Sequence, residues 1–262
     1  MGDILHESRD ARGVATLTLD RPARFNALDA ALIAALNAAL ERAAADTAVR
    51  AVVLAGAGRM FCAGADIDYL RAVAALPEAD NLADARVYSR TTELIRAMAK
   101  PVVARVQGGA FGGGITMIAA CDAVVAEDGA RFAITEAKFG LTPSLMLPYL
   151  IARIGARQAR RWCLTAERID AATAAAIGLV DVVVPAGELD AAMARLVADM
   201  LAGAPGALAD TKAALNRLAR PPAEGATVER TIHAFAAGRA GADAREGTAA
   251  FLEKRKPRGA MG

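Results

Sequence analysis

The chain of 262 residues is 55% hydrophobic, 23% charged and 4% aromatic, which is enough apolar content to bury a core and too much for a disordered chain. Its 31 Lys and Arg stand against 29 Asp and Glu for a net charge of +2, so it carries no electrostatic footprint for nucleic acid. No run of about 18 uncharged apolar residues offers a membrane span. Charges at Asp3, Glu7, Arg9 and Asp10 interrupt the opening segment, so no secretion signal is expected there. Cys62, Cys121 and Cys163 are odd in number and far apart, a spacing that fits neither a disulfide framework nor a zinc site. A reducing, cytoplasmic setting without metal is expected.

In chain order, the first apolar run reads as a strand over Val14–Leu19. Asp29 is placed to cap a helix in which Leu32, Leu36 and Leu40 recur at a spacing of four,. A strand is predicted over 51–55, a loop containing Pro77 over 74–80, and a helix over 82–99 that stops before Pro101,. Further Val-rich runs at 101–106, 123–126 and 180–184 read as strands, and 115–120 as a helix. Buried runs separated by helices predict a parallel sheet covered on both faces. After Pro185 the strand signals stop, and helices follow, punctuated by Gly203-Ala204-Pro205-Gly206, Pro221-Pro222 and Gly238. An α/β core over 1–185 and a helical region over 186–262, of the kind that packs on a neighbouring subunit, are therefore expected.

Two Gly-rich segments follow predicted strands: AGAGRMFCAGAD at 55–66 and QGGAFGGGI at 107–115. Neither ends in the Lys-Ser/Thr pair of a phosphate loop, and Gly56-x-Gly58 is followed by Phe61 where a dinucleotide fingerprint needs its third glycine,. Backbone amides flanked by such small residues can instead face a developing negative charge. Gly112-Gly113-Gly114 opens a helical run, whose first amides lie at the positive end of the helix dipole. The alternative is that these glycines only permit tight turns and close packing.

FCAGAD at 61–66, GGAFGGG at 108–114 followed by ACD at 120–122, and FAITE…GLTP at 132–143 are ordered and spaced as in one family. With Asp20-Arg21-Pro22…Asn26-Ala27-Leu28 before them and EGTAAFLEKRKP at 246–257 after them, the chain resembles the crotonase (enoyl-CoA hydratase/isomerase) family almost end to end. The resemblance implies an α/β fold, a ββα spiral core with a helical C-terminal trimerisation region, and a homo-trimer or homo-hexamer. It implies an acyl-CoA substrate, with coenzyme A as part of that substrate and no separate cofactor, while the near-neutral charge and the missing apolar span lead us to expect neither nucleic acid nor membrane as partner,.

Carried over by motif position, the resemblance makes the amides of Ala65 and Gly113 the oxyanion donors and Glu136 the proton carrier. Apolar neighbours on the N-terminal side of Glu136 are expected to desolvate its carboxyl and raise its pKa. Arg24, Ala63, Phe235 and Lys254 fall where the family meets CoA, although Lys254 also belongs to a charge run that reads equally as a solvated surface. Thr116 stands where many hydratases carry a second glutamate; its hydroxyl can orient a water but is a poor base. The segment 141–171 is similar to hydratases of branched or carboxylated enoyl-CoA esters. Hydration of a 2-enoyl-CoA is thus the leading expectation. Conversion of a 3-enoyl-CoA to a 2-enoyl-CoA by Glu136 alone, a non-catalytic CoA-ester-binding scaffold and thioester hydrolysis are the alternatives. Cys62 lacks a sequence-adjacent base and reads as a small filler, Asp66 as a helix cap, and Asp122 as a packing and turn residue.

Overall fold

The computed structural model describes residues 4–218 and 225–256. The chain opens with β1 (Leu5–Arg9), β2 (Val14–Leu19), α1 (Ala30–Ala45), β3 (Ala51–Gly56), α2 (Ile67–Ala74) and α3 (Glu78–Ala97). There follow β4 (Val102–Val106), β5 (Gly109–Phe111), α4 (Gly113–Ala120), β6 (Ala123–Glu127), β7 (Arg131–Ala133), α5 (Leu147–Thr165), β8 (Ile169–Asp170), α6 (Ala171–Ala176) and β9 (Val182–Val184). Four helices close the described chain: α7 (Leu189–Leu201), α8 (Pro205–Leu218), α9 (Gly225–Ala240) and α10 (Ala242–Leu252).

Six strands form one sheet in the order β1-β2-β3-β4-β6-β9, antiparallel only between β1 and β2. Alternation along each strand splits its side chains between two cores. Leu17, Val52, Leu54, Val102, Ala104, Val124 and Ala126 face the large one. Val14, Val53, Val103, Ala123 and Val125 face α7 through Leu189, Ala192, Met193 and Val197. The first helix after Val184, α7, is therefore packed directly on the sheet.

A second sheet, β5-β7-β8, is extended by single parallel bridges from Cys62 to Ala110 and from Leu28 to Ala65. Successive turns of the chain thus place a strand in the first sheet, an extended segment in the second, and a helix between them. This is the ββα spiral expected from the resemblance.

The five predicted strands are present, trimmed or extended by a residue or two at their ends. Asp29 caps α1 by accepting from the Leu32 amide at 2.8 Å. The expected 74–80 loop shrinks, because Pro77 is itself the residue before α3: proline lacks the N–H that a first turn leaves unpaired, and Glu78 and Asp80 favour the positive end of the dipole. Gly238 does not interrupt a helix but lies inside α9, where packing outweighs a propensity cost of about 1 kcal/mol. Pro221 and Pro222 lie outside the described residues. The short strands β1, β5, β7 and β8 were not foreseen. Among the described residues no single helix is long and apolar enough to cross a membrane.

Candidate active site

The first Gly-rich loop leaves β3 and is held open by buried amides. Asn26 Nδ2 donates to the Ala57 carbonyl at 2.9 Å and to that of Met60 at 2.7 Å. Gln107 Nε2 donates to the Gly58 carbonyl at 3.1 Å. Arg21 Nη2 pairs with both Asp29 at 2.9 Å and Asp66 at 3.2 Å, joining the caps of α1 and α2, since Asp66 accepts from the Asp68 amide.

Beyond Gly64, which needs its φ of +95°, the chain runs beside Leu28 as a parallel bridge. The Leu28 amide donates to the Gly64 carbonyl and the Asp66 amide to the Leu28 carbonyl, both at 2.8 Å. In this ladder the intervening Ala65 turns its own N–H to the far side, and that amide has no hydrogen-bond partner among the described residues. What lies alongside is the second glycine loop: a Cβ on Gly64 would sit 3.5 Å from Gly112 Cα.

Gly112 (φ +46°) ends the second loop and precedes α4. Its carbonyl accepts from Ile115 and Thr116, which starts the helix and leaves the Gly113 amide without a partner among the described residues. Two unpaired amides, Ala65 and Gly113, are therefore brought to one place by two different loops. Gly113 has no left-handed backbone to demand glycine. It is fixed by its neighbours, since a Cβ there would lie 2.0 Å from the Tyr88 hydroxyl oxygen and 3.0 Å from Leu28 Cδ1.

Glu136 opens a 3₁₀ turn, Glu136–Phe139. The residue as a whole is half-buried, but the carboxyl points inward: Oε1 would be 3.0 Å from a Cβ on Gly112, and Oε2 is buried without a partner. Burial pushes its pKa up to about 7, against a smaller opposing pull from the Thr135 and Glu136 amides. The turn is braced by α10: Gly140 and Gly247 are so close to the backbones of Asp243 and Phe139 that a Cβ would fall 2.2 and 2.4 Å away. Phe139 and Phe251 meet edge-on, their ring centres 5.1 Å apart.

Thr116, 4% exposed, is three residues after Gly113 on the same side of α4. It lines, with Tyr88, Gly113, Leu28 and Met117, a cavity of about 10 Å³, the size of one water. The Gly64-Ala65 and Gly112-Gly113 segments and the Glu136 carboxyl thus lie side by side, while Thr116 lines the cavity that Gly113 shares with Tyr88. The residues placed against CoA are more scattered. Arg24 is exposed and 3.5 Å from Asp68, Ala63 is half-buried in the first loop, and Lys254 is exposed after α10. Phe235 is buried, with its ring 5.5 Å from that of Tyr88 and the Arg239 guanidinium 4.7 Å over its face.

Cys62 is fully buried, and that burial pushes its thiol up to about 12, which keeps it protonated. Asp122 accepts from the Val102 amide and pairs with Lys212, both at 2.7 Å, a packing role. Sequence reasoning missed Tyr88, whose place depends on how α3, α4 and α9 meet.

An α/β spiral with two converging amides and a buried carboxyl defines a site for stabilising an oxyanion and moving a proton. The family profile for enoyl-CoA hydratase/isomerase matches residues 9–259, and the chain belongs to that family of enzymes. It is 37% identical to the 2,3-dehydroadipyl-CoA hydratase of Escherichia coli, over 95% of this chain and 96% of that protein. It is similar to an enoyl-CoA hydratase structure from Mycobacterium avium (TM-score 0.84, 35% identity, covering 98% of this chain and 99% of that one). It is also similar to one from Shewanella pealeana (TM-score 0.80, 33% identity, 98% and 96%).

Proposed function

We propose that this enzyme hydrates a 2-enoyl-CoA ester, with Glu136 as the proton carrier and the Ala65 and Gly113 amides as oxyanion donors. The observation that carries the reading is the inward Glu136 carboxyl, unpaired at Oε2 and set against Gly112 beside both free amides. Water oxygen bonds to C3 while one of its protons passes to Glu136, and the double-bond electrons move onto the thioester oxygen. The two amides hold the resulting enolate. C2 then takes the proton from Glu136, giving the 3-hydroxyacyl-CoA and restoring the carboxylate. A pKa near neutrality lets one group both accept and return the proton, and a single well-placed donor can be worth about 2.7–4 kcal/mol.

Thr116 supplies a hydroxyl to orient the water where the family often has a second glutamate. Arg24, Ala63, Phe235 and Lys254 are read as CoA contacts. The helical region 186–262 is read as the assembly face of a trimer or hexamer, and the cytoplasm as the setting.

Thr116 in place of a second carboxylate favours a second reading, in which Glu136 removes a proton from C2 of a 3-enoyl-CoA and returns it to C4. Mass spectrometry of products in isotopically heavy water separates the two. A 2-enoyl ester gaining one water supports hydration, and a 3-enoyl ester converted without gain supports isomerisation. Tight binding of both esters without turnover would overturn both in favour of a non-catalytic scaffold.

A further inference from the structure

Tyr88 is 93% removed from solvent, at 7% exposure, and its hydroxyl has no hydrogen-bond partner among the described residues. The oxygen is not sealed off: Tyr88 lines the small cavity shared with Gly113 and Thr116, which leaves the hydroxyl open to a partner from outside the chain. The ring is not loosely held. Phe235 of α9 packs on it, and Arg239, one turn further along α9, donates to Asp84 Oδ2 at 2.6 Å and to Asn81 Oδ1 at 2.7 Å. Asn81, Asp84 and Tyr88 recur along one face of α3. Asn81 Nδ2 returns a bond to the Ala236 carbonyl at 2.7 Å. The α3–α9 contact therefore fixes the phenol and aims its oxygen at Gly113, close enough that a Cβ there would be 2.0 Å away.

Resting on the hydratase reading, we propose that the Tyr88 hydroxyl is a third hydrogen-bond donor to the thioester oxygen, beside the amides of Ala65 and Gly113. The phenol keeps its proton throughout: it donates more strongly as charge builds on the substrate oxygen, and Glu136 alone moves protons to and from carbon. Burial holds the phenol's pKa well above its ordinary value, so it stays a donor across the working range. The missing partner of the hydroxyl is then supplied by the ligand. A third donor also compensates for Thr116: with one carboxylate doing both proton transfers, the enolate must persist while the proton crosses from the water to C2.

The test is Tyr88→Phe in the full chain, which keeps the ring against Phe235 and removes only the hydroxyl. Three readouts are compared with the unmodified enzyme: hydration of crotonyl-CoA, affinity for saturated butyryl-CoA, and the near-ultraviolet band of bound acetoacetyl-CoA enolate. The expected result is a kcat lower by about 10- to 100-fold and a weakened enolate band. The expected KM and butyryl-CoA affinity lie within about threefold of the unmodified enzyme, with the pH profile unmoved. A variant with full kcat and a full enolate band overturns the proposal. So does one that loses kcat, butyryl-CoA affinity and thermal stability together, since that marks a packing role. An unmodified enzyme that hydrates no ester refutes the underlying reading instead.

Discussion

Replacing Gly113 with alanine puts a methyl carbon 2.0 Å from the Tyr88 hydroxyl oxygen, 3.0 Å from Leu28 Cδ1 and 3.3 Å from Tyr88 Cζ. The first separation is far inside contact and the phenol is clamped from behind by Phe235, so α4 or α3 must shift. Overpacking of this kind costs about 1–3 kcal/mol. Displacing the Gly113 amide removes a donor, a further loss of about 10²- to 10³-fold in turnover. Adding Tyr88→Phe deletes the oxygen at 2.0 Å and leaves contacts of 3.0 Å or more, which small adjustments of the Leu28 side chain relieve. Urea denaturation of the two single variants and the double variant should therefore reveal a favourable coupling of about 1–2 kcal/mol. Gly112→Ala is the control. Its methyl meets Glu136 Oε1 rather than Tyr88 and is strained by its φ of +46°, so Tyr88→Phe should not rescue it. Additive stabilities in the Gly113 cycle, within about 0.3 kcal/mol, would refute the placement of the Tyr88 hydroxyl.

Glu136 has an ordinary value of 4.5 and a folded value of about 7, so between those pH values the native state binds more protons and stability falls as pH rises, by on the order of 3 kcal/mol. Glu136→Gln should thus be more stable than the unmodified chain at pH 8, with the gap closing towards pH 4.5, while crotonyl-CoA turnover drops by about 10²-fold or more; a gap independent of pH in urea titrations would contradict this. Gly247→Ala drives a methyl into the Phe139 backbone, 2.4 Å away, and loosens the Glu136 turn. Its acid limb of kcat/KM should move towards ordinary carboxylate values, and an unmoved limb with unchanged stability would show that α10 does not control the turn. Arg239→Met removes a fully buried guanidinium from Asp84 and Asn81 and should cost about 3 kcal/mol, read as a lower midpoint in thermal unfolding; a shift of less than about 1 kcal/mol would refute its bracing role.

The sequence made the first sheet legible because its central strands are buried on both faces and so read as runs of Val and Ala. The second sheet was hidden. β5 is Gly109–Phe111 and β8 only two residues, too short for any periodicity, and β1 is LHESR, a largely exposed edge strand with little apolar signal. Asp29 and Asp66 were readable as caps since a cap is a local contact. Glu136 was legible through its motif, and the apolar run before it signalled the desolvation that raises its pKa. Tyr88 was not. It is one tyrosine in a predicted helix, and its relation to Gly113 arises from three helices separated by long stretches of chain. Phe235 could be named from its motif position, but its packing on Tyr88 and under Arg239 could not be read from the chain.

The bracing of Glu136 by α10 orders events during synthesis. Both amide-bearing loops lie within the first 113 residues, and the turn carrying the carboxyl follows at Glu136–Phe139. The surfaces that wedge this turn in place, Asp243, Gly247 and Phe251, arrive about 100 residues later. A nascent chain that carries both glycine loops therefore still lacks the surfaces that seat the Glu136 turn. The position of that turn is settled only when the last helix has joined the fold, so the geometry around this carboxyl depends on sequence far downstream of it.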